Sequence, residues 1–329
     1  MEKADILALE QEIFNVKEDT FEKVALEVFK FQYANCGIYR QFCDLLNRPF
    51  PKTIKEIPFL PVTFFKSEKI LSEGYHISKT FKSSGTTGSI RSNHHVVKLE
   101  LYEKSFHLTF EQAIGKPSRQ VIIALLPSYL EQGESSLLYM VDKLIEKSQN
   151  TYSGYFLDNV EQLPDYIKKI KKNAPDKQVV IIGVSYALLD LAAFKPDLSN
   201  VIVIETGGMK GRRKEMTKED LHETLERAFN IPVISSEYGM TELLSQAYSV
   251  KNQKFIAPPW MKVMIRDIND AFSYLENRKT GGINVIDLAN LYSCSFISTQ
   301  DLGKIHENGF KILGRFDNSD IRGCNLLVN

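Results

Sequence analysis

The stretch VVIIGVSYALLDLAAFKPDLSNVIVIE, residues 179–205, decides the fold class. Residues 179–183 and 201–205 are short, continuously apolar runs, the pattern of strands buried on both faces. Residues 187–194 between them carry helical periodicity. Strand, helix and strand in so short a span predict a βαβ unit with parallel strands. Working outward, residues 121–126 (VIIALL), closed by Pro127, form another apolar run, and helical residues 135–148 follow it. Residues 216–229 are helical after the 201–205 strand. From about residue 255 the rhythm changes to short segments at 261–265, 282–287, 293–298 and 310–313, which predict antiparallel strands.

The rest of the chain frames this lobe. Residues 1–48 are expected to be helical, with FEKVALEVFKF (21–31) placing apolar side chains on one face. PFPKTIKEIPFLPVTFFKS (49–67) is too rich in proline for one helix and reads as an extended wrap. The expected organisation is a helical segment at 1–48, an α/β lobe at 49–254, a β-rich lobe at 255–314 and a tail at 315–329. The fold class is α/β.

Composition excludes several functions. The 329 residues are 43% hydrophobic and 25% charged, which rules out wholesale disorder. The 41 basic and 41 acidic residues cancel, so no overall field draws in nucleic acid or an anionic membrane. The longest apolar runs are about six residues, far below the roughly 18 of a membrane-spanning helix. The first residues, MEKADILALEQEIF, lack the apolar core of a signal peptide. Cys36, Cys43, Cys294 and Cys324 show no metal-binding spacing, and such sparse cysteine suits a reducing cytoplasm.

Three stretches carry chemistry-bearing residues. Lys82-Ser83-Ser84-Gly85-Thr86-Thr87-Gly88-Ser89 is dense in glycine and hydroxyls, so backbone N–H groups and side chains can converge on a polyphosphate. A solvated Ser/Gly linker has the same composition. Ser236-Glu237-Tyr238-Gly239-Met240-Thr241-Glu242 can stack a base, touch a phosphate and hold Mg²⁺, or be a strand–helix turn capped by Thr241. Ser298-Thr299-Gln300-Asp301-Leu302-Gly303 precedes Gly314-Arg315-Phe316-Asp317. Asp301 can accept hydrogen bonds from ribose hydroxyls, or sit in a plain β-turn. His94 and His95 follow the first stretch, where one can orient a phosphate or a carboxylate, or simply pack.

Taken in order, these stretches resemble the signature motifs of the adenylate-forming superfamily. The first resembles its [ST][ST]GTTG loop and Tyr238–Glu242 its YG.TE motif. Asp301 is similar to the Asp of TGD, with Gln300 in place of the usual glycine, and Arg315 to the Arg of GR.D. Glu205-Thr206-Gly207-Gly208-Met209-Lys210-Gly211-Arg212 and the ending Asp320-Ile321-Arg322-Gly323-Cys324-Asn325-Leu326 resemble, more narrowly, the acyl-protein synthetase family. Its best-known member is the synthetase subunit of the bacterial bioluminescence fatty-acid reductase complex.

The resemblance implies a set of roles. Ser83, Ser84, Gly85, Thr86, Thr87 and Gly88 would cradle the β- and γ-phosphates of ATP. Tyr238 would lie beside adenine, Gly239 would also bind the nucleotide, and Thr241 would lie at the α-phosphate and Glu242 at Mg²⁺. Asp301 would bind ribose, assisted by Arg315. Gly207 and Gly208 would lie close to the nucleotide, and Lys210 would offset phosphate charge. A fatty acid would be activated as acyl-AMP and passed to Cys324 as a thioester, for a partner reductase or acyltransferase. Most adenylate-forming enzymes carry a C-terminal lid domain with a lysine that assists adenylation. This sequence ends 14 residues after Arg315, so the resemblance implies a core without that lid. Two other functions fit the same motifs: a ligase that gives the acyl group to CoA, a carrier protein or a sugar, and a non-catalytic binding protein.

Overall fold

A computed structural model describes residues 3–84, 90–127, 133–207, 216–250, 253–276, 278–307 and 309–316. In chain order the N-terminal elements are α1 (Lys3–Phe14), α2 (Phe21–Asn35), α3 (Gly37–Leu45), β1 (Leu60–Pro61) and α4 (Phe64–Ser67). A hairpin follows, β2 (Lys79–Lys82) with β3 (Asn93–Val96), then α5 (Leu99–Ala113). The alternating part comprises β4 (Gln120–Leu125), α6 (Ser136–Ser148), β5 (Gly154–Tyr155), α7 (Leu163–Asn173), β6 (Gln178–Val184), α8 (Ser185–Ala192), β7 (Ile202–Thr206), α9 (Lys218–Phe229) and β8 (Ser235–Tyr238). The chain then turns through β9 (Ala247–Ser249), β10 (Met261–Arg266), β11 (Gly281–Asp287), β12 (Phe296–His306) and β13 (Gly309–Arg315).

The parallel sheet predicted from residues 121–205 is present. Its order is β5-β4-β6-β7-β8-β9, parallel from β5 to β8, with β9 antiparallel at the edge. Every residue of β4 is buried, which is why it reads as an unbroken apolar run after Gln120. The helices between strands start and stop where side chains permit. Ser135 caps α6 by accepting from the Leu138 N–H, and Thr217 caps α9 by accepting from that of Asp220. Asn230 closes α9 in the left-handed conformation at φ 55°.

The β-rich segments form a second sheet, β1-β12-β11-β10, with β13 on β12. Its long pairings are antiparallel as expected, while β1 joins β12 in parallel. Two expectations are corrected. The segment at 293–298 is a turn up to residue 295, and the strand runs from Phe296 to His306, so Asp301 lies inside a strand and not in a β-turn. No helix follows Tyr238: residues 239–246 are a turn leading into β9, so Thr241 caps nothing.

The N-terminal helices pack on the second sheet. Gln32 of α2 is fully buried and donates to the carbonyls of Asn290 and Leu291, while its Oε1 accepts from the Ser295 N–H. Phe29 and Tyr39 meet the ring of Phe296. Phe59 and Phe65, in the proline-rich wrap, are buried against Phe296 and His94.

Candidate active site

The site forms at the carboxyl ends of the parallel strands, where open α/β sheets hold their ligands. β7 ends in Thr206, followed by Gly207, and β8 ends in Tyr238, followed by Gly239. Gly207 has φ 73°, a conformation that favours glycine. Tyr238 is 8% exposed, its ring packed edge-on by Phe255 and Phe310. Its hydroxyl donates to Asp301 Oδ2 at 2.8 Å. β13 pairs Arg315 opposite Asp301, and Arg315 Nε lies 3.3 Å from Asp301 Oδ1. Burial pushes the Asp301 carboxyl up, and the Tyr238 hydroxyl, Arg315 and Arg266 pull it back. Each carboxylate oxygen keeps a second lone pair, so the group can still accept a donor.

The turn after Tyr238 is held from behind. His94 on β3 is fully buried. Its Nδ1 lies 2.7 Å from the Thr241 carbonyl and its Nε2 2.9 Å from Asn290 Oδ1. Both nitrogens face oxygens, and a neutral ring donates to one at a time. Burial outweighs these bonds and brings the His94 pKa down to about 4. Of the two readings open for His94, the packing one holds: it is interior and positions the Thr241 backbone. Asn290 Nδ2 donates to the carbonyls of Glu242 and Cys294. Asp287, at the end of β11, accepts from the N–H groups of Leu244 and Ser245 at 2.7 and 2.9 Å and from the Ser245 hydroxyl at 2.5 Å. Sequence reasoning missed Asp287 and Asn290. The signal was that both stand, with Asn284, as polar residues in the otherwise apolar stretch INVIDLAN, 283–290.

Glu242 is buried, which pushes its carboxyl up, while the Ser92 hydroxyl pulls it back. Among the described residues no cluster of three His, Cys, Asp or Glu forms a metal cage. A lone buried carboxylate suits Mg²⁺, which takes one or two carboxylates plus phosphate oxygens.

The hydroxyl-rich loop springs from the β2–β3 hairpin. Ser83 and Ser92 close its neck: the Ser83 N–H donates to Ser92 O at 3.1 Å, and the Ser92 N–H to Ser83 Oγ at 2.9 Å. Lys82 and Arg91 flank the neck, lying 2.6 and 3.7 Å from opposite oxygens of Glu134. Gly85, Thr86, Thr87 and Gly88 lie outside the described residues, as do Gly208, Lys210 and Cys324. A cavity of about 680 Å³ opens beside the neck. Ser84, Gly207, Gly239 and Thr241 all line it, so three motifs distant in sequence meet on one wall. Tyr238, Asp301, Arg315 and Glu242 are not on that wall. The first three form the adjoining cluster, and Glu242 sits behind the turn with Ser92.

The architecture is that of the adenylate-forming ligases. ATP-bound MatB from Rhodopseudomonas palustris aligns with a TM-score of 0.54 at 20% identity, over 73% of this chain and 48% of that one. An open conformation of 2-hydroxyisobutyryl-CoA ligase, in complex with 2-HIB-AMP and CoA, aligns with a TM-score of 0.67 at 10% identity, over 94% and 78%. The chain thus spans about half the length of MatB. No curated protein matches it. Within that fold the assignment is narrower: the family model described as "Acyl-protein synthetase, LuxE" matches residues 3–329, and the chain belongs to that family.

Proposed function

We propose that this chain is an ATP-dependent acyl-protein synthetase. It activates a carboxylic acid, in the family's manner a fatty acid, as acyl-AMP. It then carries the acyl group on Cys324 as a thioester for a partner reductase or acyltransferase. The observation that carries this reading is the convergence of Ser84, Gly207, Gly239 and Thr241 on one cavity beside the Tyr238–Asp301–Arg315 cluster.

In this reading the 85–88 loop holds the β- and γ-phosphates, and Lys82 and Arg91 at its neck add positive charge. Thr241 meets the α-phosphate from the cavity wall. Asp301 takes ribose hydroxyls with its remaining lone pairs, while Tyr238 and Arg315 keep it oriented. Glu242 would hold Mg²⁺, which when bound neutralises phosphate charge. A carboxylate oxygen of the substrate bonds to the α-phosphorus as the bond to pyrophosphate breaks. The Cys324 thiol loses its proton to solvent, and its sulfur bonds to the acyl carbon as the bond to AMP breaks. Lys210 offsets the negative charge on the phosphate oxygens as the bond to pyrophosphate breaks. Cys36, Cys43 and Cys294 are free and buried, which suits a chain working in the reducing cytoplasm. No helix among the described residues is long and apolar enough to cross a membrane.

Intact mass after incubation with ATP, Mg²⁺ and a panel of acids tests this on wild type and Cys324→Ser. A hydroxylamine-labile adduct on wild type alone supports the reading. AMP release without an adduct moves the acceptor to CoA, a carrier protein or a sugar. No AMP with any acid leaves a binding protein.

A further inference from the structure

Part of the cavity's lining is polar where an alkyl chain would want it apolar. Glu237 and Gln246 both line it and both crowd the Cα of Gly239. A Cβ at 239 would collide with Glu237 Oε1 and come 3.3 Å from Gln246 Cγ, so glycine there lets the two side chains converge. Gln246 is 4% exposed, and its Oε1 is buried with no hydrogen-bond partner among the described residues. Glu237 Oε2 accepts from the Thr206 hydroxyl at 2.5 Å. Its Oε1 points over Gly239. Burial and the charge of Glu205 push the Glu237 carboxyl up to about 7, with Thr206 and Lys218 pulling it back. A buried acceptor without a donor, such as Gln246 Oε1, is costly, and native proteins fill such gaps with a partner.

Resting on the proposed acyl activation, we infer that Glu237 and Gln246 form a specificity pocket for a carboxylic acid bearing a hydrogen-bond donor, a hydroxyl or an amine, on its chain. Tyr238, the adenine candidate, and Asp301, the ribose candidate, do not line the cavity, so Glu237 and Gln246 are assigned to the acid. Tyr102, Leu137 and Met140 supply the apolar part of the wall and suit the carbon chain.

The test is acid-dependent ATP–pyrophosphate exchange with chain-matched alkanoic, hydroxyalkanoic and aminoalkanoic acids. It uses wild type, Glu237→Gln, Gln246→Leu and Glu237→Leu, with melting curves to confirm folding. Wild type is expected to favour a donor-bearing acid in kcat/KM by about ten- to a hundredfold over its alkanoic match, since sites built for a donor reject analogues that lack it. Gln246→Leu is expected to cut that ratio by about tenfold. Glu237→Gln separates the two donors: it keeps an acceptor for a hydroxyl and loses the charge that pairs an ammonium. Exchange with equal efficiency for all three acid types overturns the inference and leaves acyl activation standing. An equal effect of the variants on every acid, carried by the KM for ATP, also overturns it, because the acceptors then face the nucleotide. No exchange with any acid removes both readings.

Discussion

His94 Nδ1 lies 2.7 Å from the carbonyl oxygen of Thr241, a contact between residues 147 positions apart. It ties the hairpin that carries the hydroxyl-rich loop to the turn that carries Thr241 and Glu242. The two segments are therefore set relative to one another before any ligand arrives.

The burial of His94, which outweighs this hydrogen bond, makes the fold acid-sensitive. The native His94 pKa is about 4 against an ordinary 6.5, so the unfolded chain takes up a proton that the native ring refuses. Stability is full above about pH 6.5 and falls as pH drops towards 4, by about 3 kcal/mol for this group. His222 is shifted in the same direction, also to about 4, by burial and by Lys218. Urea unfolding across this pH range is expected to show a smaller slope in His94→Gln than in wild type. Equal slopes would mean that His94 is protonated in the native state.

The hydrogen bond from Tyr238 to Asp301 predicts a binding defect. Tyr238→Phe removes a donor that favours the charged carboxylate, so the Asp301 pKa rises further. Stability is expected to fall by about 1 kcal/mol. The KM for ATP is expected to rise several-fold with little change in kcat. A lower kcat at unchanged KM would place Asp301 outside ribose recognition.

Asp287 is a positioning residue whose loss is expected to be structural first. It accepts three hydrogen bonds from the turn in a fully buried setting, and burial pushes its pKa up to about 6. Asn offers one acceptor in place of two, leaving at least one donor unpaired. Asp287→Asn is expected to cost about 1–3 kcal/mol in chemical denaturation. If acyl activation is the activity, kcat for pyrophosphate exchange falls with it, while the KM for ATP changes little.

The parallel sheet was legible because β4, β6 and β7 are buried on both faces and announce themselves as apolar runs. The motif residues were legible because glycine, hydroxyl and carboxylate cluster locally. What supports them was not. Asp287 and Asn290 interrupt an apolar run without any period, and the partners through which they hold the turn, Leu244 and Glu242, lie more than 40 positions away in sequence. His94 has partners 147 and 196 positions away. The turn at 239–246 reads as a helix start because Thr241 is a good cap, yet its N–H groups are taken by Asp287. Tertiary hydrogen bonds overrode the local preference.

Glu242 sets a metal prediction. Its carboxyl is buried and pushed up, so it gains from a cation beside it. Glu242→Gln keeps the shape and removes the charge. The Mg²⁺ concentration for half-maximal exchange is expected to rise by about tenfold or more. An unchanged Mg²⁺ dependence would take Glu242 out of metal binding.

The thiols give the sharpest prediction about the acyl carrier. Cys36, Cys43 and Cys294 are buried, and burial pushes each thiol up, Cys43 to about 12. A thiol so shifted is almost wholly protonated near neutral pH and is a poor nucleophile. Cys294 also donates to the Phe296 carbonyl inside the second sheet. The triple replacement Cys36→Ala, Cys43→Ala, Cys294→Ala is therefore expected to retain a hydroxylamine-labile acyl adduct, at some cost in stability from the cavities left behind. Cys324→Ser is expected to lose the adduct while pyrophosphate exchange continues. Peptide mapping of the adduct to Cys43 or Cys294 would show that the buried thiols become accessible during turnover, and would reassign the carrier.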